Sequence, residues 1–188
     1  MPVNATSLAN RLLVALPSLR EGSFERSVTL LCQHDSEGAM GVMVNRPSEY
    51  TVGEVLDQMG IACEDAAVRA DQVLSGGPVH PERGFVVHDG EQTYDSTLQV
   101  ADGLYLTTSR DVLEAMARGE GPEHRVIALG CAGWGEGQLE QELREDSWLL
   151  VPAEPGLLFE VPLEQRWQAA AGSIGVDLVS LAHHSGNA

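Results

Sequence analysis

The residue types that could do chemistry fall into four groups along this chain. His34-Asp35 and His88-Asp89 each place an imidazole beside a carboxylate where a strand gives way to a turn. Two His and two Asp brought together would suit a divalent metal. The pairs are 54 residues apart, however, which is not a ligand-like spacing. Asp also favours turns for its own reason, because its side chain bonds nearby backbone N–H groups. No metal is expected. The second group is Asn45-Arg46-Pro47. Pro47 holds Arg46 extended, and a guanidinium fork at a strand end suits a carboxylate or a phosphate. In a chain this acidic, the favoured partner is an internal Asp or Glu in a structural ion pair.

The third group is glycine-rich. Gly76-Gly77-Pro78 forms one loop, and Gly133, Gly135 and Gly137 fall in a second, Gly130 to Gly137. The second loop follows an apolar run and precedes a helix. That order presents backbone N–H groups to an anion, and the helix N-terminus adds about half a positive charge. Glu136, Glu140 and Glu142 oppose a phosphate there, and the spacing is neither a P-loop nor a dinucleotide fingerprint. A tight strand-to-helix turn under Trp134 is the preferred explanation. The fourth group is Cys131 at the mouth of that loop. A helix N-terminus would activate its thiol, and His34 or His88 would have to act as its base. A small buried hydrophobe is the simpler role for a free cysteine.

The elements that must hold these residues alternate between strand and helix. Leu12 to Leu16 is a short apolar run stopped by Pro17 and reads as a buried strand. Arg26 to Gln33 and Ala39 to Asn45 read as a β-hairpin about the turn His34–Gly38, with Pro47 closing it. Val52 to Met59 is a helix stopped by Gly60, and Ser109 caps another that runs to Arg118. Phe85 to Val87 and Leu104 to Thr107 are short strands. Val126 to Leu129, apolar on both faces, is a central strand. After the glycine loop come a helix from Gln138 to about Glu145, a strand from Trp148 to Val151, and a helix from Leu163 to Ala171. The class is α/β or α+β with a mixed sheet, in one domain spanning residues 1–188.

Composition narrows the functions. Eleven Lys and Arg against 28 Asp and Glu give a net charge of −17. DNA binding rests on cations that replace counterions along the phosphates. The nearest basic neighbours here, Arg20 with Arg26 and Arg118 with Arg125, have acids between them. There is no helix-turn-helix with a basic recognition helix. Direct nucleic-acid binding is disfavoured. Three cysteines without a C-x-x-C pair argue against a zinc knuckle and against a secreted disulfide scaffold. The start of the chain lacks a signal-like pattern, and no apolar run is long enough to span a bilayer. A cytoplasmic location without a membrane is expected. His183-His184 reads as a solvated tail pair.

The motifs together carry a resemblance. Phe24-x-x-Ser27-Val28, His34-x-x-x-Gly38-Ala39-Met40-Gly41, Asn45-Arg46-Pro47, Gly76-Gly77-Pro78-Val79 and His88 stand in order before Gly130-x-Ala132-Gly133-Trp134-x-x-Gly137-Gln138-Leu139-Glu140-x-Glu142. With Trp148 and the Trp167 helix, this resembles the AlgH/YqgE family over roughly residues 8–188. The resemblance implies a bacterial protein whose bifurcated sheet curls into a pseudo-barrel. It also implies a label of transcriptional regulator tied to alginate synthesis. It supplies no catalytic residues and no cofactor.

Two functions from different classes remain open. One is a regulatory protein that acts through a protein partner or a small anionic or polar ligand. The other is an undescribed hydrolase or transferase. In either case the expected pocket gathers His34, Asn45, Arg46, Gly76, Gly77, His88 and the Gly133–Gly137 loop onto one concave surface.

Overall fold

The computed structural model describes residues 7–19 and 22–181. His183-His184 lies outside the described residues. Strand β1 (Arg11–Ala15) is buried on both faces, as its unbroken apolar run requires. The alternation of a strand sends Leu12 and Val14 into one core cluster, Leu13 and Ala15 into another. β2 (Val28–Asp35) and β3 (Gly38–Met43) form the expected hairpin around Ser36-Glu37. A bulge at Cys32 shifts its register. The hairpin ends before Pro47, which instead opens a further strand, β4 (Pro47–Thr51), paired with β5 (Gln72–Ser75). Proline is tolerated at the start of such an edge strand because it has no N–H to leave unpaired.

Helix α1 (Val52–Gln58) begins with a capping box between Thr51 and Glu54. A short α2 (Ala66–Ala70) leads into β5. β6 (Val79–His88) is longer than the expected Phe85–Val87, because its exposed first half carries no apolar signal. β7 (Thr97–Ala101), β8 (Leu104–Thr107) and α3 (Arg110–Ala117) follow. β9 (Arg125–Trp134) runs straight through the stretch expected as a loop from Gly130. Only Gly135–Gly137 turns, and it leads into α4 (Gln138–Arg144). β10 (Trp148–Pro152), α5 (Pro155–Phe159) and α6 (Arg166–Gly172) complete the fold, with α6 entered through a 3-10 turn at Leu163–Gln165.

The ten strands form one mixed sheet whose main path is β10-β1-β2-β3-β9-β6-β8-β7, with β5, and β4 beyond it, branching from β9. It branches on one edge of β9. Ala132–Trp134 pairs antiparallel with β3, whereas Ala128 and Leu129 pair parallel with β5. The sheet is thus bifurcated and curls without closing. α5 and α6 pack Leu158, Trp167 and Ala170 onto one face in the main core. α1 and α3 cover Val86 and Ile127 from the other side. α4 closes a third cluster with Trp134, Leu139 and Trp148.

Candidate functional site

β9 serves as a ruler for the residues singled out in the sequence. His88 stands opposite Arg125 at its first end. Gly76 donates its N–H to Leu129 O at 2.7 Å, and Gly77 packs on Cys131 midway. Gly133 pairs with Met40 inside the strand, and His34 is reached through Ala39, which pairs with Trp134 at the last end. The two histidines therefore sit at opposite ends of a strand about 30 Å long. They cannot share a metal or serve one thiol. Among the described residues no group of three or more His, Cys, Asp or Glu could hold a metal ion. Within the expected single concave surface, β9 parts His34 from His88, whereas Arg46 stays beside the Gly76-Gly77 loop, its O accepting the Ser75 N–H at 2.8 Å.

Each motif has a local partner. Asn45 accepts from Val28 N–H and donates to Arg26 O, both at 2.9 Å, which ties the approach to β2 onto the chain after β3. Arg46 donates to Glu25 O at 2.6 Å. Asn45 and Arg46 line a cavity of about 300 Å³ with Arg26, Glu164 and Trp167; the glycine motifs do not reach it. His34, with its side chain only 6% exposed, accepts Leu8 N–H on Nδ1 at 2.9 Å and turns Nε2 toward Glu140 at 3.6 Å. In the turn before α4, Gln138 Oε1 accepts the Gly135 N–H at 3.0 Å. A side chain of the protein thus occupies a donor that an anion would need. Gly137, at φ 73°, takes the left-handed conformation that ends the turn.

Cys131 lies in mid-strand, away from any helix N-terminus, and is 5% exposed. Burial pushes its thiol up, and Arg83 only partly offsets this. The more deeply buried Cys32 is pushed up to about 12 by burial and by Cys131. Neither thiol has the electropositive surroundings of a nucleophile.

The histidines at the β6 end set opposite pH limits. His88 is fully buried, with Nε2 2.7 Å from Thr107 Oγ1 and Nδ1 2.9 Å from Asp89 O. Burial lowers its pKa below 6.5. The unfolded chain protonates first as pH falls through 6.5, so His88 makes acid destabilising. Exposed His124 is the reverse. Its Nδ1 lies 2.6 Å from Asp89 Oδ2, and that bond raises its pKa above 6.5. Burial alone would raise the Asp89 carboxyl, but its bonds from the His124 side chain and N–H outweigh this and hold it low. The His124 contribution is complete below pH 6.5 and is lost as pH rises through the raised folded value. His124→Gln should therefore flatten the fall in melting temperature above pH 6.5 and, by removing one of the bonds that hold Asp89 low, soften the acid limb while leaving the His88 part of it in place. Identical pH profiles for both proteins would show that the pair contributes nothing.

One cavity among the described residues has no counterpart in the sequence motifs. It holds about 570 Å³ between α1 and α3. Val55, Met59, Val86, Leu113, Ile127 and Leu129 form its apolar walls. Gln58, Thr108, Ser109 and Arg110 stand at its rim. Arg110 is fixed there by donating to Met59 O at 2.8 Å and by a 3.4 Å pair with Glu114. The periodicity of α1 places Val55 and Met59 on its inward face, but a seven-residue helix cannot cover the sheet beside it. Half of each side chain is left to a groove that no spacing rule marks.

Comparisons with known proteins place the chain. The AlgH-like family model matches residues 12–179. A UPF0301 protein of Stenotrophomonas maltophilia strain K279a is 66% identical over 187 residues, covering 100% of both chains. One from Xanthomonas campestris pv. campestris strain B100 is 63% identical over 188 residues, again with 100% coverage of each. The solution structure of the AlgH protein from Pseudomonas aeruginosa superposes with a TM-score of 0.80 at 43% identity, covering 96% of each chain. A crystal structure from Corynebacterium diphtheriae, 23% identical, covers 95% of this chain and 92% of its own with a TM-score of 0.73, and so shares the fold. The match over residues 12–179, together with relatives about two-thirds identical along their whole length, means that this protein belongs to the AlgH-like family.

Proposed function

We propose that this AlgH-like chain is a regulatory binding protein whose ligand is a small, largely apolar molecule with one hydrogen-bonding end, held in the groove between α1 and α3. The groove carries this reading. Its volume of about 570 Å³ lies within the range of small-molecule sites, about 300–1,000 Å³. Its walls are largely apolar, and Gln58, Glu82, Thr107, Thr108, Ser109 and Arg110 supply polar groups to its lining. A reading without direct DNA contact is supported by the net charge of −17 and by the pairing of Arg69, Arg110, Arg118 and Arg125 with Asp57, Glu114, Glu120 and Asp71. Catalysis has less support. The two histidines of the expected reactive pocket stand at opposite ends of β9, and the buried His88 is held between Thr107 and Asp89 O.

The test is a fragment screen by NMR on the methyl-labelled protein. Ligands should shift the Val55, Met59 and Leu113 methyls. Val55→Trp, which fills the groove from the half-buried face of α1, should abolish those shifts and leave the melting temperature near the parent value. Hits that leave these three methyls unmoved overturn the reading, as does a sequence-selective duplex shift that survives competitor DNA.

A further inference from the structure

A second cavity lies beside α6, apart from the apolar groove, and its chemistry is different. It holds about 200 Å³, and its lining includes two arginines, Arg125 and Arg166. Arg166 is only 8% exposed. Its Nε donates to Val161 O at 2.8 Å and one terminal nitrogen donates to Val44 O. No carboxylate pairs with it among the described residues. A guanidinium stays charged in a protein, so this is a buried cation compensated by carbonyl dipoles alone. Burial accordingly lowers its pKa. A buried charge without a counter-ion is among the costlier features of a fold, and an anion brought beside it relieves that cost.

Arg125 adds an independent sign. It donates to Pro122 O at 3.0 Å and to Asp71 Oδ2 at 3.2 Å, yet its Nε is buried without a hydrogen-bond partner. Orphaned buried donors are rare, and they commonly mark a missing water, ion or ligand. Two arginines and Asp71 leave the cavity one positive charge in excess. The remaining walls include Leu74, Val126, Ile127 and Leu163.

We infer that this cavity binds a small monocarboxylate with a short apolar body, its carboxylate set between the Arg125 and Arg166 guanidiniums and its carbon chain against Leu74 and Leu163. The charge count selects the class. A single negative charge neutralises the excess, whereas a phosphate dianion would be repelled by Asp71. The fork of a guanidinium matches a carboxylate in plane. The volume of about 200 Å³ limits the body to a few carbons. This site shares only Ile127 with the lining of the groove between α1 and α3, and either can fail without the other.

The experiment is a titration of the ¹⁵N-labelled full chain with sodium butyrate, followed at the arginine Nε–H resonances. Sodium chloride and sodium phosphate at matched ionic strength are run beside it. Saturable shifts at the Arg125 and Arg166 Nε–H with butyrate alone are expected. Asp71→Asn keeps a hydrogen-bonding side chain at a half-exposed position and removes the like charge. It should tighten butyrate binding about fivefold or more, the size of one like-charge contact near the surface. Leu163→Trp, on the half-buried wall, should abolish the shifts without altering the rest of the spectrum. Shifts of equal size with chloride mean charge screening and overturn the proposal. So do phosphate binding in preference to butyrate, butyrate affinity unchanged by Asp71→Asn, and an absence of saturable shifts in the parent protein.

Discussion

Gly77→Ala yields a chain that does not fold cooperatively. Gly76 and Gly77 fill the fork where the sheet divides. Gly76 donates its N–H to Leu129 O on β9 at 2.7 Å, and its O accepts Met43 N–H from β3 at 2.8 Å. This one residue spans the gap between the two branches. A Cβ on Gly77 would lie 2.3 Å from the carbonyl carbon and oxygen of Cys131, and its φ of 148° disfavours a side chain in any case. The obstruction is backbone, held on both sides by ladder bonds, so no rotamer relieves it. A Cβ on Gly130, 2.3 Å from Gly77 O, meets the same contact from the opposite chain. The expected cost is about 4 kcal/mol or more, the exceptional end for one substitution. That is most of the margin at the low end of the usual range of about 5–15 kcal/mol. The measurement is chemical denaturation together with the amide spectrum. Gly172→Ala is the control. Nothing lies within 4 Å of its Cβ, and it sits in α6, where Ala should gain up to about 1 kcal/mol. A Gly77→Ala midpoint close to the parent's would mean that the fork relaxes freely.

Trp148→Ala should cost about 3–5 kcal/mol. Trp134 and Trp148 are 6% and 5% exposed and meet edge to face, with centroids 6.1 Å apart at 77°. Phe24 completes the cluster at 5.7 Å from Trp148. Both indole N–H groups donate to the same oxygen of Glu142, at 3.0 and 2.8 Å. α4 is thereby fastened to β9 and β10 by one carboxylate above an aromatic core that includes Leu139. Glu142→Gln keeps an acceptor and should be mild. Glu142→Leu leaves two indole donors without their partner, at about 1–3 kcal/mol each where they stay dry. Melting temperatures near the parent's for both Trp148→Ala and Glu142→Leu would refute this account and place the rings among surface contacts.

Several features were legible from residues alone because their causes are local. The hairpin from β2 to β3 follows from alternation and a turn sequence, and α1 from the spacing of Val52, Val55, Leu56 and Met59 before Gly60. The structural weight of Trp134 and Trp148 follows from ring size near an apolar helix face. The order and spacing of the motifs fixed the family, since they are linear properties of the chain.

Other features depend on pairings between distant segments. Gly130–Trp134 reads as loop because glycine is a poor strand former. In the fold, Gly130 and Gly133 are held in β9 because β3 and β6 bond to it and because Gly77 must pass within a backbone's width. The same strand, by its length, parts His34 from His88 and dissolves the shared pocket that their chemistry suggested. The groove between α1 and α3 and the Arg125–Arg166 cavity join residues from segments far apart in the chain, among them Val55 with Ile127 and Asp71 with Arg166. No periodicity within one segment encodes such neighbours. Sequence thus determined which elements form and which family they compose; the branched pairing on β9 alone decided which side chains share a cavity.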